Sequence, residues 1–176
     1  MSVRPQLRAA VTADAAALAA FGARCFCESY AAHNTPADMA LHLARTYGPE
    51  LQAREIAEPS GECLVALEAA EIVGYALLGP GVAHASVTGR APWQVHRFYV
   101  DQRWHGRGLA PALMTAAIEA ARRRGAGTLW LAAWDQNPRA LGFYAKLGFV
   151  DVGVTAFTLG TLRQTDRVMA RSLGAS

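Results

Sequence analysis

Lysine is nearly absent from this chain: 17 residues are Lys or Arg, and only Lys146 is a lysine. The guanidinium charge is scattered and the formal net charge is only +3, which gives mild attraction to anions rather than the basic stripe of a nucleic-acid binder. The run Arg122-Arg123-Arg124 stops at Gly125 and reads as the basic last turn of a helix. Cysteine is scarce too. Three cannot all pair, and Cys25 and Cys27 are separated by one residue, a spacing that serves neither a redox CxxC nor a zinc knuckle. Reduced thiols and no metal are expected. No apolar run reaches the ~18 residues of a membrane helix, because Asp14 and Arg24 break the stretch from Val11 to Phe26. The same charges interrupt any signal-peptide core behind Arg4 and Arg8, so a mature cytoplasmic protein without a membrane partner is expected.

What is present is 176 residues, 52% hydrophobic and 18% charged, apolar enough for a core and sized for a single domain over 1–176. A strand over Val3 to Ala9 precedes a helix from about Ala13 to Cys27 with Thr12 as its cap. Thr35-Pro36-Ala37-Asp38 combines an N-cap, a first-turn proline and a third-position acid, which predicts a helix to about Thr46. Gly48-Pro49 ends it, and a short helix covers Glu50 to Glu58. Cys63 to Leu67 and Ile72 to Leu78 form a hairpin, and Gly79 to Pro92 is a loop. Thereafter the order is strand (Gln94 to Val100), helix (Leu109 to Arg124), strand (Thr128 to Trp134), helix (Pro138 to Leu147) and strands Phe149 to Ala156 and Arg163 to Met169. A hairpin followed by alternating elements predicts an α/β (α+β) fold with a mixed sheet flanked by helices, not a doubly wound parallel one.

The segment Tyr99-Val100-Asp101-Gln102-Arg103-Trp104-His105-Gly106-Arg107-Gly108-Leu109-Ala110-Pro111 joins a strand to a helix through two glycines. Backbone can approach an anion there, and a helix's free first-turn N–H groups make a diphosphate cradle. A P-loop would need Lys and Ser or Thr after the second glycine; a dinucleotide fingerprint would need Gly or Ala at Pro111 and an acid ~20 residues on. Neither condition is met. What remains, Arg103-x-x-Gly106-x-Gly108, resembles the Q/R-x-x-G-x-G/A signature of the GNAT N-acetyltransferases.

A second block, Asn137-Pro138-Arg-Ala-Leu-Gly-Phe143-Tyr144-Ala-Lys146-Leu-Gly148-Phe149, is similar to the other GNAT motif. Asn137 and Pro138 are a sound N-cap and first helical residue on physical grounds alone. His33-Asn34-Thr35-Pro36-Ala37-Asp38-Met39 and the tail from Gly153 to Leu173 look like the PaiA-type spermidine/spermine N-acetyltransferases, so the resemblance spans most of the chain. It implies a mostly antiparallel sheet of six to seven strands, about four helices and a splayed parallel strand pair holding acetyl-CoA. By resemblance the coenzyme contacts are Phe98, Tyr99, Val100, Arg103, His105, Gly106, Arg107, Gly108, Leu109, Ala110, Asn137 and Lys146. Asn137 faces either the pantetheine or the acceptor side. Tyr144 is implied as the acid that protonates the leaving thiolate. Gln94 stands where many relatives carry Glu, which removes one carboxylate base.

Transfer of acetyl to an amine requires a neutral amine, although alkylammonium has a pKa near ~10.4, and a proton for the sulfur. His96, His33, Glu28 or a water are the candidates for taking the amine's proton. A backbone N–H between Phe98 and Val100, at the strand bulge usual in the family, is the expected donor to the carbonyl. Cys63, without a basic neighbour in sequence, is read as structural, so direct attack in a ternary complex is expected. Glu28, Tyr30, His33 and His96 are assigned to the acceptor. Asp38 is close to the same pocket but is read mainly as a helix cap. The four tryptophans, Trp93, Trp104, Trp130 and Trp134, receive no role. The expected substrate is a small-molecule amine, polyamines first. A protein, peptide or antibiotic amine, or a non-catalytic acyl-CoA sensor, is the alternative. A homodimer is compatible with the family.

Overall fold

The computed structural model describes residues 4–174. Seven strands form one sheet in the order β1-β2-β3-β4-β5-β7-β6: β1 Gln6–Ala9, β2 Glu62–Glu68, β3 Glu71–Pro80, β4 Pro92–Val100, β5 Thr128–Trp134, β6 Val150–Leu159 and β7 Leu162–Ser172. Every neighbouring pair is antiparallel except β4 with β5. Five α-helices accompany it: α1 Ala15–Tyr30, α2 Pro36–Thr46, α3 Pro49–Ala57, α4 Leu109–Arg123 and α5 Pro138–Lys146. Of the expected first strand, Val3 lies outside the described residues.

Period-2 alternation divides the core between the two faces of the sheet. Leu64 of β2 and Ala76 and Leu78 of β3 pack with Leu113, Met114 and Ala117 of α4 and with Tyr144 of α5. The intervening Cys63, Val65, Tyr75 and Leu77 pack with Leu18, Phe21 and Cys25 of α1. Both faces are covered, which is why β2 and β3 read as nearly continuous apolar runs.

One predicted cap is corrected. Thr12 does not cap α1; residues Thr12–Asp14 form a 3-10 turn and Asp14 takes the cap position. The reason is Arg8, whose guanidinium binds both carboxylate oxygens of Asp14 at 2.7 and 2.9 Å, while the Val11 N–H donates to Oδ2 at 2.8 Å. Thr35 does cap α2, accepting from the Asp38 N–H at 3.1 Å. Asp38 does more than complete that cap. Its Oδ1 accepts from the Thr161 N–H at 2.6 Å and hydroxyl at 2.7 Å, which ties α2 to the β6–β7 turn.

Two irregularities in β4 open the sheet. Leu77 pairs with Arg97 and Leu78 with Val95, so His96 is the extra residue of a bulge, which bends and twists the strand. On the other side β4 pairs with β5 only through Pro92 to Gln94 against Thr128 to Trp130. Beyond those residues the parallel strands part.

Candidate active site

A cleft of about 940 Å³ fills the gap between the parted strands. One end is the turn before α4. Gly106 and Gly108 have φ of +74° and +82°, and a Cβ at either would meet no protein atom within 4 Å. That left-handed backbone is glycine's territory, and its open side faces the cleft. Among the described residues the N–H groups of Gly106, Gly108, Leu109 and Ala110 reach no carbonyl outside their own helix, and a first-turn N–H has no partner within it. Free N–H groups at a helix N-terminus can hold an anion. Lys146 and Arg139, both exposed, add positive charge to the lining.

The middle of the cleft is aromatic. Tyr144 is buried, with Phe98 edge-on at 6.4 Å, Phe143 tilted at 5.2 Å and Phe149 edge-on at 5.9 Å. Its hydroxyl has no protein partner among the described residues, and burial pushes its pKa up, the nearby Tyr30 adding to the effect. A phenol in that state keeps its proton at neutral pH but is a weaker acid for the shift, so a donor role for it has to come from its placement. Asn137 caps α5 by accepting from the Ala140 N–H at 3.1 Å, so its carbonyl is committed and only its NH₂ is free for a ligand.

Strand geometry locates the backbone donors. The Val100 carbonyl bonds His105 Nε2 at 3.0 Å, whereas the Asp101 N–H turns the other way, to Val73 of β3 at 2.9 Å. Alternation then aims the Phe98 and Val100 N–H groups away from β3, into the cleft.

The far end is walled by Tyr30, His33 and Trp134, with Tyr30 and Trp134 ring centroids 5.5 Å apart and His33 edge-on to Trp134 at 5.1 Å. Glu28 also lines the cleft, bound to Arg24 at 3.0 Å. His96, on the bulge, is exposed, and its pKa is held below the ordinary value by partial loss of water and by the adjacent Arg97. Arg97 is fixed in turn by two bonds to Glu55 of α3, at 2.7 and 2.9 Å.

Of the residues that the sequence singles out, the cleft brings together Glu28, Tyr30, His33, His96, Phe98, Tyr99, Val100, His105, Gly106, Gly108, Ala110, Asn137, Tyr144 and Lys146. Three side chains stay out. Arg103 donates to Asp101 at 3.1 Å and to Glu71 at 3.0 Å, and with Arg24 at 2.8 Å it holds the buried Asp101 carboxyl well below the usual range. Arg103 thus braces the turn against α1 rather than facing a ligand. Leu109 is buried with Trp104, and Arg107 lies over the Trp104 ring at 6.0 Å; the Arg107 N–H donates to the Trp104 carbonyl at 3.2 Å, which leaves the Leu109 N–H as what this pair can offer a ligand. Trp134, assigned nothing from sequence, is part of the wall. Its signal was its place at the carboxyl end of a strand beside a parallel neighbour, where α/β sheets bind ligands.

A family model for the acetyltransferase (GNAT) family matches residues 23–149. The chain belongs to the GNAT acetyltransferase family. An uncharacterised N-acetyltransferase of Mycobacterium tuberculosis (strain H37Rv) is 32% identical over 160 residues, 91% of this chain and 98% of that one. An uncharacterised N-acetyltransferase from the pepI 3′ region of Lactobacillus delbrueckii subsp. lactis is 30% identical over 148 residues, 84% and 86% of the two chains. The crystal structure of the PaiA N-acetyltransferase of Thermoplasma acidophilum, in complex with coenzyme A, superposes with a TM-score of 0.79 over 98% of this chain and 99% of its own, at 18% identity; it shares the fold. This GNAT protein is an acetyl-CoA-dependent N-acetyltransferase. Among its described helices none is long and apolar enough to cross a membrane.

Proposed function

We propose that this N-acetyltransferase acetylates a primary amine of a small molecule, with polyamines the first candidates, by direct attack within a ternary complex. The observation that carries the reading is the placement of the Tyr144 hydroxyl. Tyr144 is a buried residue that lines the cleft, its hydroxyl without a protein partner among the described residues, between the glycine turn and the aromatic wall. Acetyl-CoA supplies an activated acetyl thioester. The N–H groups of Gly106, Gly108, Leu109 and Ala110 would hold its diphosphate, and those of Phe98 and Val100 would face the carbonyl oxygen as charge develops on it.

Tyr144 then gives its proton to the departing sulfur. Cys25 lines the cleft, but burial pushes its thiol up to about 12, so it is not a thiolate at neutral pH, and Cys63 is raised to about 12 by the same cause. Neither thiol is set up for an acyl-cysteine. His96, kept neutral, is available to accept the amine's proton directly or through water; Glu28 is less so, being paired with Arg24. The aromatic wall supports a cationic acceptor, since Trp and Tyr faces attract ammonium. The likeness to the PaiA fold agrees with it.

Release of free CoA from acetyl-CoA across a panel of amines, headed by spermidine and spermine with a no-acceptor control, tests this reading. Turnover on small amines supports it. Silence across the panel with acetyl-CoA still bound overturns it in favour of a protein acceptor or a non-catalytic acyl-CoA-binding role.

A further inference from the structure

Beside the aromatic wall sits a carboxylate with one buried oxygen that lacks a donor. Asp166 of β7 is 8% exposed, and its Oδ1 is buried without a hydrogen-bond partner among the described residues. No described arginine or lysine lies within ion-pair distance of it: the adjacent Arg167 points to the opposite face and is taken by Asp151 at 2.6 Å. Two residues away, and therefore on the same face, Gln164 has a buried Oε1 that is also unpartnered. Its amide is turned outward to Asn34 Oδ1, at 2.9 Å. Two neighbouring acceptors thus lack donors, and Asp135 adds further negative charge close by.

Register places Asp166 next to a residue of the cleft wall. Asp166 is directly opposite Trp134 of β5, and opposed residues of neighbouring strands project side by side. Tyr30 lies against Trp134, with 5.5 Å between ring centroids, and both line the cleft with Tyr144. Folds rarely keep a buried charge without a counter-charge, or a buried acceptor without a donor, for stability's sake. An alkylammonium carries one positive charge and three N–H donors, and aromatic faces of Trp134 and Tyr30 suit it.

We propose that Asp166, with Gln164, Trp134 and Tyr30, binds the non-reacting ammonium of the acceptor, so that the preferred acceptor carries a second cationic nitrogen. This deepens the small-amine reading and depends on it for the locus of transfer. No bond is made or broken at Asp166; it positions the substrate and sets its length. A one-charge amine would reach Tyr144 without engaging Asp166.

The test uses the full chain saturated with coenzyme and compares 1,4-diaminobutane and 1,5-diaminopentane with butylamine and pentylamine. Two readouts are taken, calorimetric affinity for the amine and kcat/KM for CoA release, in the wild type and in Asp166→Asn, whose folding is checked by melting. The wild type should favour each diamine by about tenfold or more, and Asp166→Asn should lose most of that preference, its diamine affinity and diamine kcat/KM falling by more than those for the monoamines. Retention of the preference in Asp166→Asn, or its absence in the wild type, overturns the proposal, and Asp166 is then a carboxyl satisfied by water. The two readings separate cleanly. Asp166-dependent diamine binding without acetyl transfer supports this site and sinks the proposed reaction; acetyl transfer indifferent to Asp166 does the reverse.

Discussion

The two ends of the cleft are made in opposite ways. The coenzyme end is one continuous stretch, β4 through the first turn of α4, in which two glycines with positive φ and a helix start do the work within a few residues. The proposed acceptor end is assembled from α1, the 3-10 turn at Ala31–His33, the tip of β5 and β7, with partners such as Asn34 and Gln164 130 positions apart. A site of the first kind is carried by local backbone chemistry and can be recognised from spacing. A site of the second kind exists only once the sheet register is set.

The largest expected effect falls at the junction of the two ends. Tyr144→Phe should lower kcat by about 10²–10⁴, the usual range for loss of a positioned acid, with coenzyme affinity nearly unchanged. Equal losses in both would remove Tyr144 from the proton path. At the coenzyme end, Gly108→Val adds a branched side chain at φ +82°, strained by ~1–2 kcal/mol and projecting into the cradle. Coenzyme affinity measured by calorimetry should fall by at least about tenfold, and an unchanged value would unseat the turn as the diphosphate site.

Asp166 should show itself in stability as well. Burial, reinforced by Asp135, raises its pKa to about 6 from an ordinary 3.8. The folded state therefore binds this proton more tightly than the unfolded chain does, and the carboxylate's destabilisation grows between about pH 4 and 6 and is complete above that. Asp166→Asn should accordingly be more stable than the wild type at about pH 7.5, by about 2–3 kcal/mol, and equal to it below about pH 4. Denaturant melts at the two pH values decide it. A saturating diamine should narrow the gap, because it stabilises only the form that binds it. The smallest effect is expected at Arg103, the arginine of the coenzyme motif. Arg103→Gln should change coenzyme affinity by less than about fivefold, since an exposed guanidinium engaged with Asp101 and Glu71 has little left for a ligand; a larger loss would mean the side chain swings into the cleft.

How much of the molecule is legible in its sequence divides along the same line. The order of strands and helices, the caps at Thr35 and Asn137 and the glycine turn are legible because each depends on neighbours in sequence. Arg103 is assigned to the coenzyme because the motif places it there; the competing carboxylate, Asp101, is only two residues away, but that it is 2% exposed and shared with Arg24 of α1 is a tertiary fact. Thr12 fails as a cap for a related reason, the capture of Asp14 by Arg8. Trp134 and Asp166 are in plain view as residues, yet their adjacency arises from the β5–β7 register, which no periodicity encodes. His96 is a candidate on sequence grounds, but its position as the extra residue of the bulge emerges only from the pairing of β3 with β4.

The tie between Asp38 and the Thr161 main chain spans 123 residues, so a single carboxylate closes a loop that takes in β2 to β6, α4 and α5. The entropy of closing so long a loop grows only slowly with its length. Two short bonds from one side chain therefore hold the first third of the chain against its last hairpin.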